Sequence, residues 1–252
     1  MMKRRDRRQE ILDLLAQGDA MGIHGLAQVL AVSDETVRRE LRLLESDGLI
    51  ERIHGGARLA KSVEEGPFEA RLHRNAAAKQ RIAAAIARGV ADGDSLYLDA
   101  SSTAFHVAQA LKGKRDLTIV TNALDVAAEL GGRSGNRLYL AAGELDDRYR
   151  AFFDETARAY LAQFRPAAAI VSTESVDTAT GFTDYHVGEG ALCRQMIAQS
   201  RFVTMALDAS KFDRTSVVAV ATFADIDRIV TDRPIDPAYA TAAAGVDWIT
   251  CD

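Results

Sequence analysis

Beyond residue 75 the chain keeps returning to short apolar runs: "SLYLD" (95–99), "LTIVTN" (117–122), "RLYLA" (137–141), "AAAIVS" (167–172), "RFVTMALD" (201–208) and "DRIVTD" (227–232). Between most of them lie stretches of helical periodicity, such as "TAFHVAQAL", "ALDVAAEL" and "EGALCRQMIAQS". This alternation leaves few architectures open. Successive parallel strands need a crossover of a dozen or more residues, and a helix supplies it. The expected fold class is therefore α/β, with a largely parallel sheet and helices on both faces.

The first sixty residues follow a different rule. Ile11, Leu12, Leu14 and Leu15 form an apolar stripe over a helix from Arg5 to Ala16, which Gly18-Asp19 stops. A second short helix, about Ile23 to Leu30, carries Leu26, Val29 and Leu30. "AVSDE" then makes a tight turn, with Ser33 as N-cap of a third helix and Asp34 and Glu35 favouring its positive end. Gly48 ends that helix, and "LIERIHGGARL" reads as a hairpin with its turn near Gly55-Gly56. Three helices and a hairpin make a small winged helix-turn-helix. The expected division is 1–59 for this domain, 60–74 for a polar linker that includes "AKSVEEGP", and 75–252 for the larger α/β domain.

On the third helix Val37, Leu41 and Leu44 fall together and face the core. Glu35, Arg39, Arg42 and Ser46 lie opposite, with Arg38 on the flank. The planar fork of an arginine grips a phosphate or a guanine edge bidentately, and Thr36 is short enough to approach a base. Together with the wing tip "HGG" this fits a helix that enters the major groove of double-stranded DNA. The whole chain has a net charge of −5, so it cannot bind DNA by bulk charge. Residues 1–60 hold ten Lys/Arg and ten Asp/Glu, which leaves 21 against 26 for the rest. The basic residues between Lys3 and Arg8 are either further phosphate contacts or a solvated terminus.

In the second part, polar residues follow the apolar runs. Ser101, Ser102 and Thr103 stand between "SLYLD" and a helix, where free backbone N–H groups and the dipole favour a phosphate. Thr121 and Asn122 close a second run, and Asp208 and Lys211 follow a third. In a parallel sheet these ends share the carboxyl edge, where ligands bind. A phosphate loop, a lysine, and carboxylates (Asp99 and Asp208) for hydroxyls suit a phosphorylated sugar. His106 and His186 read as structural or exposed. Arg148 and Arg150 are either anion contacts or solvated charges. Cys193 and Cys251 have no metal-ligand or redox spacing, so no metal or cofactor is expected. With no signal region and no membrane-length apolar stretch, the chain reads as cytoplasmic.

The pieces "VSDETVRRELRLLESDGLIERIHGGA", "PFEAR", "LYLDASST", "TIVTNALDVAAEL", "DASKF" and "DIDRIVTD" occur in an order that resembles the DeoR family of bacterial transcriptional regulators over nearly the whole chain. The resemblance implies an operator-binding winged helix and a C-terminal domain similar to ribose-5-phosphate isomerase and CoA-transferase folds, sensing a phosphorylated sugar or related metabolite. It places Ser33, Thr36, Arg38, Arg39 and Arg42 on the DNA-reading helix and His54 to Ala57, with Gly55, in the wing. It places Asp99, Ser101, Ser102, Thr103, Thr121, Asn122 and Lys211 in the effector pocket. Several residues depart from the family pattern: Glu40 stands where aspartate is usual, Ala142-Gly143 replaces a double glycine, and Asp154, Ser172 and Ser175 stand where glycines are expected.

The expected function is thus a repressor of a carbohydrate-metabolism operon, relieved by a phosphorylated effector. It would bind DNA as a dimer or tetramer so that two helices reach successive half-sites. An alternative is a sugar-phosphate isomerase with a DNA-binding appendage, with Asp99, Glu174, Glu189 and Lys211 as available groups. Against it, "VSTESVD" does not resemble the isomerases' acidic motif. A third reading is a constitutive DNA-binding protein whose α/β part only oligomerises.

Overall fold

The computed structural model describes residues 4–16, 20–46, 50–59 and 66–251, in two compact units, Met1–Ala76 and Ala77–Asp252. The first unit runs α1 (Arg4–Ala16), β1 (Met21–Gly22), α2 (Ile23–Val29), α3 (Asp34–Ser46), β2 (Ile50–Ile53), β3 (Gly56–Leu59) and α4 (Phe68–His73). Ser33 caps α3: its Oγ accepts from the Thr36 N–H at 3.3 Å and its carbonyl from Val37 N–H at 3.1 Å. Val37, Leu41 and Leu44 are buried against Ile11, Leu15, Leu26 and Leu30. On α2 the buried set is Ile23, Leu26 and Ala27, joined by Leu30. Val29, expected on that stripe, falls one step off the i, i+3, i+4, i+7 pattern and faces solvent.

The wing is a three-stranded antiparallel sheet in the order β1-β3-β2, with its turn at His54-Gly55, one residue before the expected position. Gly56 is there because β1 runs close by: a Cβ at 56 would lie 2.3 Å from the Met21 carbonyl oxygen. The short β1 was not legible as a strand from two residues. Of the stretch read as linker, 60–65 lies outside the described residues, as do the stops at Gly18-Asp19 and Gly48. The remainder carries α4, whose Ala70 joins the first unit's core.

The second unit contains α5 (Ala76–Gly89), β4 (Ser95–Leu98), α6 (Ser102–Ala110), β5 (Thr118–Thr121), α7 (Leu124–Leu130), β6 (Arg137–Leu140), β7 (Leu145–Asp146), β8 (Ala151–Phe152), α8 (Glu155–Leu161) and β9 (Ala168–Val171). It continues with β10 (Ser175–Asp177), β11 (Gly181–Asp184), α9 (Val187–Gln199), β12 (Phe202–Leu207), β13 (Val218–Ala221), β14 (Arg228–Thr231), α10 (Pro237–Ala242) and β15 (Asp247–Thr250). A seven-stranded sheet has the order β15-β14-β12-β9-β4-β5-β6, and every neighbouring pair is parallel. All six apolar runs are strands of it. Leu96 to Leu98, Ile119, Val120, Ala169 to Val171 and Val203 to Leu207 are all buried, which is why these strands read as continuous apolar runs rather than alternating ones.

The seventh strand, β15, lies at an edge, where its half-exposed residues gave no such run. The antiparallel sheet β10-β11-β13 was also not foreseen; its strands have three or four residues each. From β4 the strand order runs one way through β5 and β6 and the other way through β9, β12, β14 and β15. With right-handed crossovers the helices of the two runs lie on opposite faces, and the order reverses between β4 and β9, the place where sheets of this kind bind ligands beyond their carboxyl ends.

Candidate functional site

Two surfaces hold the candidate residues. On α3, Ser33 is exposed and Thr36 half-buried at the helix start, and the side chains of Arg38, Arg39 and Arg42 are 44, 51 and 58 % exposed. Arg38 and Arg42 flank Glu35 at 3.8 and 3.5 Å, exposed pairs that water screens and a phosphate can displace. His54 and Gly55 are exposed at the wing tip, and the Gly55 carbonyl accepts from Ile23 N–H at 2.9 Å, tying the tip to the start of α2.

Arg39 differs from its neighbours, because it also reaches a buried acid. Glu40 is fully buried and meets Arg8 Nε at 2.9 Å, Arg39 at 3.5 Å and Arg7 at 3.7 Å. Arg7 and Arg8 are thus ion-paired between α1 and α3, which neither earlier reading of the basic N-terminus anticipated. Glu40 lies three residues after Val37, on the apolar stripe itself; that spacing was the available signal.

The second surface is the carboxyl edge of the sheet, at the reversal point. Asp99 follows β4 and is buried. Its Oδ1 accepts from the Ser101 N–H at 3.0 Å and Oγ at 2.6 Å, and its Oδ2 from the Ser172 N–H at 2.7 Å, so one carboxylate fastens the loops after β4 and β9. Ser101 caps α6 by accepting from Ala104 N–H at 3.0 Å. Ser102 Oγ accepts from the Nζ of Lys79, a buried lysine on α5, at 2.9 Å. Thr103 is buried in the same turn.

After β12, Lys211 Nζ donates to Glu174 Oε2, and Arg214 stands 3.6 Å from Glu174 Oε1. Burial works to raise the Asp208 carboxyl, but the charges of Lys79 and Lys211 and the hydrogen bonds from Ser210 outweigh it and hold it below its ordinary value. Ser102, Lys79, Asp208, Lys211 and Glu174 therefore form one polar cluster across three strand ends. Lys79 and Glu174 extend the residue set expected from sequence. Lys79 falls on the stripe of Ala78, Ile82, Ala83 and Ile86, the one charge on the buried face of an alanine-rich helix.

Thr121 and Asn122 end β5, and Thr121 pairs in register with Leu98, but their side chains bond away from the lysine cluster. Thr121 Oγ1 accepts from Ala123 N–H at 3.0 Å, and Asn122 Nδ2 donates to the Phe152 carbonyl at 3.1 Å. Asn122 Oδ1 is buried and takes no hydrogen bond among the described residues.

Arg150 pairs with Asp125 at 3.0 Å, and Arg148 is exposed. His186 caps α9, its Nδ1 accepting from Glu189 N–H at 3.0 Å, and packs on Tyr149 and Phe153. Burial first, then the charges of Asp99, Asp184 and Glu189, push the Cys193 thiol well up, so it stays protonated. The departures from the family pattern also have local roles. Asp154 caps α8 and accepts from Glu144 N–H at 2.9 Å, and Ser175 Oγ bonds Thr183 and Ser216 hydroxyls at 2.9 and 2.6 Å.

A winged helix with an exposed arginine face, followed in the same chain by a parallel α/β unit with a polar cluster at its carboxyl edge, is the build of a DNA-binding regulator with a sensing domain. Family comparison agrees on both parts: residues 7–63 match the DeoR-like helix-turn-helix domain and residues 74–233 the DeoR C terminal sensor domain. The chain is 33 % identical to the glycerol-3-phosphate regulon repressor of Escherichia coli, over 92 % of each protein. It is 34 % identical to the transcriptional repressor AccR of Agrobacterium fabrum, over 90 % of this chain and 89 % of that one. Among solved structures, ribose 5-phosphate isomerase from Plasmodium falciparum aligns over 54 % of this chain and 52 % of its own, at 14 % identity and a TM-score of 0.39. The chain belongs to the DeoR family and is a DNA-binding transcriptional regulator. No helix among the described residues is long and apolar enough to cross a membrane.

Proposed function

We propose that this regulator is a repressor whose operator binding is relieved when a phosphorylated sugar or polyol enters the crevice at the carboxyl edge of the sheet. The observation that carries this reading is the cluster at the β4–β9 reversal, where the buried Lys79 bonds Ser102 at the N-terminus of α6 and shares the charge of Asp208 with the partly buried Lys211. The phosphate would sit at Ser101 to Thr103, within reach of the lysine charges. Asn122 Oδ1, buried and without a donor among the described residues, suits a hydroxyl of the effector. The relatives' names, a glycerol-3-phosphate regulon repressor among them, support both the sign of regulation and the effector class. A catalytic role is disfavoured because Asp99 already accepts three hydrogen bonds and Asp208 is held by Ser210 and two lysine charges, so neither is poised as a base. The active species is a dimer or higher oligomer, as paired half-sites require.

The test is operator binding by the full chain, on DNA selected from a random library, with and without phosphorylated sugars and polyols. An inducer is expected to weaken binding about 5–150-fold, a coupling of roughly 1–3 kcal/mol. The same compound at a hundred times its Kd should stabilise the protein by about 2.7 kcal/mol. A chain that keeps full operator affinity with every such compound, and is stabilised by none, is not a phosphate sensor. On the DNA side, Arg42→Ala is expected to cost about 1–3 kcal/mol of operator affinity and relax the preference at one base pair, read by comparing single-substituted operators. Equal loss on every sequence would make Arg42 a phosphate contact.

A further inference from the structure

The crevice poses an electrostatic problem for the effector just proposed. Around Lys79 and Lys211 stand the buried carboxylates Glu174 and Asp208, with Asp99, Asp184 and Glu189 buried in the same unit, so acids outnumber lysines. A phosphate monoester brings about −2 charge. Adding it to a buried site whose lysines are already neutralised is unfavourable unless one carboxylate gives way.

The three acids at the strand ends are held differently. Asp99 is fixed by two backbone N–H groups and a hydroxyl, all close to the turn it builds. Asp208 is fixed by the backbone N–H and hydroxyl of Ser210. Glu174 accepts no backbone N–H among the described residues; its carboxylate meets only the cations Lys211 and Arg214. Those are charges that a phosphate can take over, and Glu174 has the longer side chain with which to swing away.

We propose that Glu174 is a resident anion: it occupies Lys211 and Arg214 in the effector-free chain and is exchanged for the phosphate of the effector. The exchange raises the threshold for binding, so that ligands of single charge are rejected and a dianion is accepted. It also gives binding a mechanical consequence. Glu174 directly precedes β10, where Ser175 bonds Thr183 and Ser216, and the Val176 carbonyl accepts from Arg214 N–H at 3.3 Å and from Tyr239 Oη at 3.1 Å. Releasing the Glu174 carboxylate loosens the residue that leads into that network. The proposal rests on the reading of the crevice as an anion site, and the test separates the two.

The experiment is calorimetric titration of the full chain with inorganic phosphate, for wild type, Glu174→Gln and Lys211→Met. Glu174→Gln keeps the shape and removes the competing charge, so its Kd for phosphate is expected to be about tenfold lower than wild type. Lys211→Met is expected to lose binding. Unchanged or weaker binding by Glu174→Gln, with binding still lost in Lys211→Met, would overturn the exchange and leave the anion site standing. No binding of phosphate by either wild type or Glu174→Gln would sink both. A second measurement uses wild type alone: hydrogen exchange at residues 175–177 is expected to quicken on adding phosphate, and unchanged or slower exchange there counts against displacement.

Discussion

Replacing Glu40 with alanine is expected to destabilise the winged-helix unit by about 3–5 kcal/mol, the usual cost of removing one partner from a buried ion pair. A unit of this size holds roughly 4–11 kcal/mol in all, so the variant should be partly or wholly unfolded there. The cause is not the loss of an attractive contact alone. Arg7, 13 % exposed, would keep its charge in a site shaped for a carboxylate, and the space left by Glu40 would lie between α1 and α3. Arg39, half-exposed, contributes less because water screens it. Glu40→Gln retains an acceptor for Arg8 Nε and should lose about half as much. The two units need not unfold together, so the measurement is hydrogen exchange resolved to residues 4–59, with operator binding as a second readout. An alanine variant with wild-type protection in α1 and α3 would show that the buried carboxylate is dispensable.

This prediction bears on how much could be read in advance. Apolar periodicity located the three helices, the hairpin and six strands of the main sheet, because each depends on local pattern and on which faces are buried. The same wheel that put Val37, Leu41 and Leu44 inward also put Glu40 inward, and on α5 it put Lys79 with Ile82 and Ile86. Charge ordinarily marks an exposed position, but at these two, partners far along the chain hold the side chain inside. Glu40 is answered by Arg8, 32 residues earlier, and Lys79 reaches Ser102 across 23 residues. Pairings of that length depend on strand order and helix packing, which local pattern does not carry. The polar strand ends were legible as a set. Their division was not: Ser102 and Asp208 join the lysine cluster, Asp99 and Ser101 fasten the loops beside it, and Thr121 and Asn122 bond toward Ala123 and Phe152.

Lys79→Met should have the second large effect. It is expected to cost the sensor unit about 3–5 kcal/mol and to abolish any response to phosphorylated effectors. Methionine fills the space, so the loss isolates the charge. Lys79 holds the first residue of α6 through Ser102 and stabilises the ionised Asp208. Without it Asp208 keeps its burial but only one lysine charge, and its carboxyl should titrate higher than in wild type. The sign of the pH dependence follows. A carboxyl whose folded pKa is depressed contributes stability that is present above its unfolded value, near 3.8, and is lost as pH falls through the depressed value. In Lys79→Met that contribution shrinks, so the acid transition should begin at higher pH. Adding Asp208→Asn removes the stranded charge and should restore part of the stability, with a coupling of about 0.5–3 kcal/mol in the double-mutant cycle, while the effector response stays lost. If the two substitutions simply add, Lys79 and Asp208 act independently. The lysine would then serve the sensor only through its bond to Ser102.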